Sequence, residues 1–488
     1  MDKHFLEQCE RESLHFSGAI LPHGSLLVLD RQGCVSHVSA NIADHFGRLP
    51  ETWLGAPLPD HMTFLLDKLS QAPGSRRVAE ALLEGNCGAL DAVVIRGEQG
   101  QITLEFSPAL TTSPTRTSTQ QVLPQSPATP TAVHELQQAL VEEIADQSGF
   151  QRVMFYAFRE DADGEVVAEA RRGTAYGSYL GLRFPASDIP QIARTLYLRN
   201  PWRLIPDATL DPVPVVGRES NPPDLTWSDL RSVSPVHQTY LANMGVRASL
   251  SFPVVIGGNL TALIAAHHCE ARRLAPARLD ALAARVRNHA FAVANYQAQR
   301  RMHLIDGLAY RFDEIKQVLQ RTGDLWMAWP VIGEWLMEEF EADGALLSMD
   351  DTWGVAGKGL EPLARSAFEN WFDQQSEFVW SGDHLAHQVP GFPLSEIAGA
   401  LALRVAIPGR GELRIIFVRT EYVHEVAWGG NPEKPVEHHD GALGIAPRRS
   451  FEKWVEKRMG VSRPWSNETR LLALRLRDMF RQISFPDD

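Results

Sequence analysis

The sequence predicts an α+β fold with about three domains, and three observations support this prediction. The chain has 488 residues, which is more than one hydrophobic core usually holds. Short runs with strand composition alternate with stretches of helical periodicity along the whole chain. One helical pattern extends from about residue 278 to about residue 325, which is long enough to link two domains.

The first domain is expected over residues 18–108. Two strand-like runs, GSLLVLD and CVSHVSA, are separated by a turn signal, and DAVVIRG and QITLEFS repeat the pattern. Residues 1–17 precede these strands and form an N-terminal arm that contains Cys9. Residues 109–133 are rich in Ser, Thr, Pro and Gln and lack periodicity, which is typical of a flexible linker.

The second domain is expected over residues 134–300 and the third over residues 301–488. HELQQALVEEIADQSG predicts a helix, and RVMFYAF, GEVVAEA, ASLSFPVVIGG and LTALIAAHH predict strands of the second domain. A polar insertion at about 424–456 interrupts the third domain. An apolar stripe on the long helix predicts either a dimer face or a face that covers a domain core. The stripe consists of Leu282, Val286, His289, Val293 and Tyr296.

Composition argues against several classes of function. The net charge of −13 disfavours a nucleic-acid binder or a protein that binds membrane surfaces through basic residues. The sequence has no apolar run of the roughly 20 residues that span a bilayer and no signal-peptide pattern, so a cytoplasmic protein is expected. The four cysteines contain no CxxC pair and are expected to be free thiols. His267 and His268 are adjacent on a predicted strand and point to opposite faces, so no metal site is expected there.

Polar and aromatic residues cluster in the second domain. They lie in FPASDIPQIARTLYLRNPWR, LRSVSPVHQTYLANMGVRASLS and LIAAHH. Arginine can bind carboxylates through two hydrogen bonds, and aromatic side chains can pack on a conjugated ligand. The cluster therefore predicts a pocket for a flat anionic molecule, with solvated surface arginines and ordinary core histidines as the alternative interpretation.

The same segments resemble those of the photosensory core of bacteriophytochromes. The resemblance rests on CERESLHFSGAILPHG, FPASDIP, LRSVSPVHQTYLANMGVRASLS, LIAAHH and the pair EVAWGGNP and PRRSFEKW, in this order. It implies PAS, GAF and PHY domains linked by long helices, with an N-terminal knot through the GAF domain and a tongue hairpin from the PHY domain. It also implies the linear tetrapyrrole biliverdin IXα as cofactor, covalently bound through Cys9. Plant-type relatives have their cysteine just before the pocket histidine, where this chain has Val236.

The resemblance also implies roles for individual residues. Asp188 resembles the aspartate that faces the pyrrole nitrogens and the tongue, His237 the histidine near the inner rings, and His267 the histidine that binds the D-ring carbonyl. Arg448 resembles the tongue arginine that pairs with this aspartate, and Ser450 is a second tongue contact. The other implied cofactor-binding residues are Tyr156, Phe184, Ile189, Tyr197, Arg203, Arg231, Ser234, Tyr240, Met244, Ser249 and Ser251.

The implied function is that of a red/far-red photoreceptor without catalytic activity in this chain. Red light would isomerise the D ring, the tongue would change from hairpin to helix, and long helices would pass the signal to an output module or response regulator. A homodimer through the GAF and PHY helices is also implied. The alternative is a PAS–GAF protein that senses another small molecule without light. Thr420 departs from the family pattern because it stands where a proline is usual.

Overall fold

A computed structural model describes residues 14–86, 88–110, 125–173, 177–218, 220–350, 352–407, 411–432 and 451–482. The chain divides into two compact units, one of residues 1–296 with 427–454 and one of residues 297–426 with 455–488. Helices and antiparallel sheets occur in both units, which confirms the predicted α+β class. Among the helices described, none is both long and apolar enough to cross a bilayer.

The first sheet of the first unit is antiparallel and contains all four strands predicted for the first domain. Its strands in chain order are β1 (Ala19–Ile20), β2 (Ser25–Leu29), β3 (Val35–Ser39), β4 (Arg76–Gly85), β5 (Gly88–Arg96) and β6 (Ile102–Pro108). A short helix, α1 (Ile42–Phe46), follows β3. Five of these strands lie side by side in the order β3-β2-β6-β5-β4. They contribute to one hydrophobic core, which includes Leu27, Val94 and Leu104.

The second sheet of this unit has the order β10-β12-β13-β7-β8-β9. Helix α2 (Pro130–Ser148) precedes it and is capped by the Thr129 side chain, which accepts the amide hydrogen of Ala132 at 3.1 Å. Gly149 ends this helix in the left-handed conformation, which glycine adopts without strain. The strands are β7 (Arg152–Phe158), β8 (Gly164–Arg171), β9 (Arg183–Phe184), β10 (Arg203–Ile205), β12 (Ala248–Ile256) and β13 (Asn259–His268), with helices α3 (Gln191–Arg199) and α4 (Pro235–Asn243) between them.

The loop between β10 and α4, residues 206–234, encloses the segment 19–21 and is called the crossing loop below. Its strand β11 (Val213–Gly217) pairs with Ala19–Ile20 on one side. On the other side, Ser232 donates its amide hydrogen to the Ala19 carbonyl at 3.0 Å, and Leu21 donates to the Leu230 carbonyl at 2.7 Å. One loop therefore binds both edges of the segment, as expected where the N-terminal arm enters the predicted knot. Cys9 lies outside the described residues.

The long helix α5 spans Pro276–Thr322, and its first part belongs to the first unit. Leu282, Val286, His289 and Val293 are buried. Leu282 and Val286 pack in the core behind the second sheet. The apolar stripe in this part of the helix therefore covers a domain core, which confirms that alternative over a dimer face. Tyr296, the last residue of the stripe, is half-buried.

The second unit contains a five-stranded antiparallel sheet in the order β15-β14-β18-β17-β16. Its strands are β14 (Gly344–Met349), β15 (Thr352–Gly357), β16 (Val379–Gly382), β17 (Ile397–Ile407) and β18 (Gly411–Thr420). Its helices after α5 are α6 (Leu325–Phe340), α7 (Pro362–Phe372), α8 (Leu385–Gln388) and α9 (Asn467–Phe480). The Thr420 amide and hydroxyl both donate to Asp343 Oδ2, at 2.7 and 2.8 Å, and a proline at this position has no amide hydrogen to donate.

Two further strands, β19 (His424–Gly429) and β20 (Lys453–Arg458), are the described ends of the polar insertion. Trp428 of β19 pairs in parallel with Arg183 of β9. The part of the insertion that belongs to the first unit therefore begins at the edge of the second sheet. Residues 433–450, which include the predicted tongue residues Arg448 and Ser450, lie outside the described residues.

Candidate functional site

The register of the second sheet places several predicted site residues on one face. Directly paired residues of antiparallel strands project to the same side of a sheet. Arg203 pairs with Ser251, Ser249 pairs with His267, and His267 pairs with Arg152. The intervening residues, such as Leu250, lie in the apolar core on the opposite face. The alternation of the strands thus separates a polar face from a core face, and the polar face is the floor of the candidate site.

Arg203 lies at one end of this face, and the crossing loop fixes its orientation. Its Nη1 donates to the Asp229 carbonyl at 2.9 Å, and its Nη2 donates to the carbonyls of Arg231 and Ser232. These bonds use at most three of the five N–H donors of a guanidinium group. Among the described residues, nothing occupies the other two donors, so they can bind an anion.

Arg231 is a second arginine beside Arg203, and its side chain is buried whereas Arg203 is half-buried. Its Nη1 donates to the Thr226 carbonyl at 3.2 Å. Burial and the charge of Arg203 lower the pKa of Arg231, and burial lowers the pKa of Arg203. Within the described residues, neither guanidinium hydrogen-bonds to a carboxylate. The two arginines therefore form a buried region of like charge that an anionic ligand would neutralise.

His237, Tyr240 and Asp188 form a connected group near these arginines. The rings of His237 and Tyr240 are stacked, with centroids 6.0 Å apart and planes 11° apart. The Tyr240 hydroxyl donates to Asp188 Oδ2 at 3.0 Å. Burial, followed by the charge of Arg203, lowers the pKa of His237 to about 4. His237 is therefore neutral near pH 7, and one of its ring nitrogens can accept a hydrogen bond.

His267 presents an unused polar atom at the other end of the face. Its Nδ1 is buried and has no hydrogen-bond partner among the described residues. Burial, followed by the charges of Arg152 and His237, lowers the pKa of His267 to about 3. His267 as a whole residue is half-buried. The protein around its ring nevertheless disfavours the protonated, charged form. A ligand placed against this face of the sheet could satisfy Nδ1.

Aromatic rings form the apolar wall of the site. Tyr156 and Phe184 have ring centroids 5.9 Å apart. A Cβ atom on Gly164 would lie 1.8 Å from the Tyr156 ring, and one on Gly429 would lie 2.5 Å from the Phe184 ring. Both positions therefore require glycine for these rings to keep their places. Since Gly429 lies at the start of the polar insertion, the insertion contacts this wall directly.

The structure brings the remaining predicted residues to the same region, except for Cys9, Arg448 and Ser450, which lie outside the described residues. The ring of Phe451, the first described residue after the gap in the insertion, meets the Tyr240 ring edge-on, with centroids 5.1 Å apart. Ser249 and Ser251 are buried on the polar face. Tyr197 is on α3, and Ile189 follows the 3₁₀ turn Ala186–Asp188. Ser234 is the N-cap of α4, and Met244 is the C-cap of the same helix, beside Ile205.

Two groups of residues that hold the site were not predicted from the sequence. Arg194 on α3 donates to the carbonyls of Ile189 and Ala162, both at 2.8 Å, and so fixes the turn that carries Asp188. Arg152 pairs with Glu169 at 3.1 Å, next to His267 in the sheet. An arginine in the otherwise apolar strand RVMFYAF was the available signal for the second group.

Family comparisons agree with this architecture along most of the chain. A model described as PAS fold matches residues 9–109, one described as GAF domain matches residues 132–290, and one described as phytochrome region matches residues 315–487. A bacteriophytochrome of Pseudomonas aeruginosa is 33% identical over 97% of this chain, and cyanobacterial phytochrome B of Nostoc sp. is 31% identical over 97% of it. The chain spans 66% and 65% of the lengths of these two relatives.

Solved structures give the same result. The photosensory core module of Stigmatella aurantiaca phytochrome superimposes with a TM-score of 0.82 at 30% identity and covers 97% of both chains. A bacteriophytochrome from the photosynthetic bacterium R. palustris superimposes with a TM-score of 0.79 at 27% identity, over 97% of this chain and 98% of that one.

Proposed function

Because the chain belongs to the bacteriophytochrome family and has the PAS–GAF–PHY architecture of its photosensory core, we propose that it is a red/far-red photoreceptor that binds biliverdin IXα. One observation supports the cofactor most strongly. Arg203 on the polar face and Arg231 on the crossing loop hydrogen-bond to no carboxylate among the described residues, and the same face presents the unpartnered Nδ1 of His267. A linear tetrapyrrole has two carboxylates, which can pair with the arginines, and terminal ring carbonyls, one of which can hydrogen-bond to His267.

In this proposal residues of the polar face, the crossing loop and α3 hold the two propionates of the cofactor. Arg203 and Arg231 would neutralise them through charge-assisted hydrogen bonds, which are about twice as strong as neutral ones. Tyr197, Ser249 and Ser251 would supply hydroxyl donors. Each buried oxygen of the propionates would then have a hydrogen-bond donor.

The other pocket residues would hold the ring system. His237 and Asp188 would face the inner pyrrole nitrogens, and His267 would bind the D-ring carbonyl. The Cys9 thiolate, the reactive form of cysteine, would add to the vinyl side chain of ring A: its sulfur would bond to one vinyl carbon, a proton from solvent would go to the other, and the double bond would become single in the resulting thioether. The apolar contacts would come from Tyr156, Phe184, Ile189, Tyr240 and Met244, and Ser234 would contribute a hydroxyl group.

Bound biliverdin would supply absorption of red light and photoisomerisation at its D ring. On the protein side, the proposal assigns the response to the polar insertion at about 424–456. Asp188 would pair with Arg448 and contact Ser450 in one state, and loss of this pair would let the insertion change from hairpin to helix. A change of this kind needs two packings close in free energy.

The signal would then pass along α5 and α9 to a second copy of the chain, an output module or a response regulator. This chain would itself act as a sensor without a catalytic site. The proposal includes the domain boundaries 18–108, 134–300 and 301–488, with the arm and the linker outside them.

The test is reconstitution with biliverdin. The purified chain should become coloured, and alternating red and far-red light should reversibly change its absorption spectrum. After denaturation, a zinc-stained gel should show a fluorescent protein band. Cys9→Ala should abolish this band and leave a bound, weakly photoactive pigment, whereas Cys269→Ala, which removes an exposed free thiol, should keep the band. A chain that stays colourless would contradict the proposal and favour a sensor of another small molecule.

A further inference from the structure

A cluster of buried and half-buried charged residues lies where the first and second sheets of the first unit meet. It surrounds a cavity of about 50 Å³, which is large enough to hold water. Residues that line this cavity include His23, Asp91, Glu105, Trp202, Asp229 and Arg273. None of them belongs to the predicted cofactor site. The cluster therefore needs an explanation of its own.

Two residues of the first sheet hold the crossing loop from this cluster. Glu105 on β6 accepts hydrogen bonds from the Ser228 hydroxyl and from the Leu230 amide, the latter at 3.4 Å. Arg76 on β4 forms an ion pair with the Asp229 carboxylate and donates to the Trp227 carbonyl at 3.1 Å. Four consecutive residues of the loop are thus fixed by two side chains of another sheet.

The same stretch of loop orients Arg203. The guanidinium of Arg203 donates to the carbonyls of Asp229, Arg231 and Ser232. The Arg231 amide in turn donates to the Ser228 hydroxyl oxygen at 3.1 Å. A continuous chain of hydrogen bonds therefore leads from Glu105 through Ser228 and the loop backbone to Arg203.

We propose that Glu105 and Arg76 are positioning residues for the cofactor pocket, because they hold the loop carbonyls that aim Arg203 at a ligand carboxylate. The inference rests on the proposed function, since it takes Arg203 to bind a propionate. It assigns the first domain a role in cofactor binding although Glu105 and Arg76 do not lie in the pocket.

The protonation state of Glu105 gives this network a dependence on pH. Burial and the nearby charge of Asp229 raise the pKa of Glu105 to about 8, while Ser228, Arg76 and the Leu230 amide oppose the shift. Glu105 is therefore protonated near pH 7 and carries no charge beside Asp229. Above its pKa it ionises and repels Asp229. His23, Asp91 and Arg273 are the other charged or titratable groups that line the cavity.

The first test needs no pigment. Glu105→Leu removes the carboxyl group that accepts hydrogen bonds from the Leu230 amide and from the Ser228 hydroxyl. The Ser228 hydroxyl oxygen in turn accepts a hydrogen bond from the Arg231 amide. Amide hydrogen exchange of Leu230 and Arg231 in the apoprotein should become about tenfold faster, as expected for loss of a hydrogen bond. Glu84→Leu, at an exposed position on β4, is the matched control and should leave this exchange unchanged. Unchanged exchange in the Glu105 variant would overturn the inference.

The second test compares two pigments in a Cys9→Ala background, where binding is reversible. Glu105→Leu should weaken binding of biliverdin about tenfold, whereas binding of biliverdin dimethyl ester, which has no free carboxylate, should change less than twofold. Glu105→Gln keeps a neutral acceptor and should bind biliverdin like the parent at pH 7. From pH 7 to pH 9 the parent should lose more affinity than the Glu105→Gln variant, because the lowered pKa of Arg231 affects both proteins in the same way.

The outcomes separate the two proposals. Equal loss of affinity for both pigments would indicate a purely structural role for Glu105 and would overturn this inference alone. The same holds if the parent and Glu105→Gln respond identically to pH. A parent chain that binds neither pigment would overturn the proposed function, and the inference would fall with it.

Discussion

The burial of His289 should make the stability of the second domain sensitive to acid. This residue lies on the core side of α5, only 2% of it is exposed, and both of its ring nitrogens lack hydrogen-bond partners among the described residues. Its ring contacts Phe155, with centroids 5.4 Å apart. Burial lowers the pKa of His289 from 6.5 to about 4. Because the folded state binds the proton less tightly than the unfolded state, stability is complete above pH 6.5 and falls as the pH decreases towards 4.

The shift in pKa sets the size of the effect. At pH 5 the unfolded state is almost fully protonated at His289 and the folded state is mostly unprotonated, so this group alone lowers the free energy of unfolding by about 2 kcal/mol between pH 7 and pH 5. His289→Leu has a similar volume and removes both unpartnered nitrogens. The variant should be more stable than the parent at pH 7 by about 1 kcal/mol or more, and this difference should grow by about 2 kcal/mol at pH 5.

Urea unfolding of the pigment-bound chain, followed by pigment absorption at pH 7 and pH 5, measures this difference. Burial also lowers the pKa values of His23, His237 and His267, but these residues are common to both proteins and cancel in the comparison. His303→Leu on the exposed side of the same helix is the matched control and should leave the pH dependence unaltered. The reasoning is refuted if His289→Leu and the parent lose stability in parallel between the two pH values.

Three further substitutions test separate parts of the account. Arg231→Met should weaken biliverdin binding by about 2 kcal/mol or more through loss of a buried charge partner, and a titration that shows unchanged affinity would contradict the propionate assignment. Gly164→Ala should displace the Tyr156 ring and destabilise the protein by about 1–3 kcal/mol, which a lowered Tm and a shifted absorption maximum would reveal. Thr420→Pro should remove the amide and hydroxyl hydrogen bonds to Asp343 and destabilise the second unit by about 1–3 kcal/mol, so an unchanged melting curve would speak against their importance.

The strands and helices with strong periodicity were predictable from the sequence. RVMFYAF forms β7 residue for residue, and the long helix runs over Pro276–Thr322 where the pattern predicts about 278–325. It ends before Gly323, which adopts a left-handed conformation that only glycine takes without strain. Strand β11 gave no recognisable signal, because VPVVG contains a proline and pairs with strands far away in the chain.

The candidate site was predictable as a set of residues but not as an arrangement. Spacing and resemblance indicate Ser249 and His267, whereas only the register shows that they are paired on one face. Arg194 and Glu105 were missed because they act on backbone groups of distant segments, and such contacts leave no periodic pattern in a sequence. The same reason explains why the apolar stripe on α5 left a dimer face and a core face open until the buried position of Leu282 was known.

The central claim is that a linear tetrapyrrole binds on the polar face of the second sheet, between His267 and the pair formed by Arg203 of this face and Arg231 of the crossing loop. The most direct measurement is the electron density of the pigment in a crystal of the chain reconstituted with biliverdin. The account predicts propionate oxygens within hydrogen-bond distance of Arg203 and Arg231, and a ring carbonyl at the same distance from His267. Pigment density elsewhere on the chain, or propionates that point away from both arginines, would contradict it.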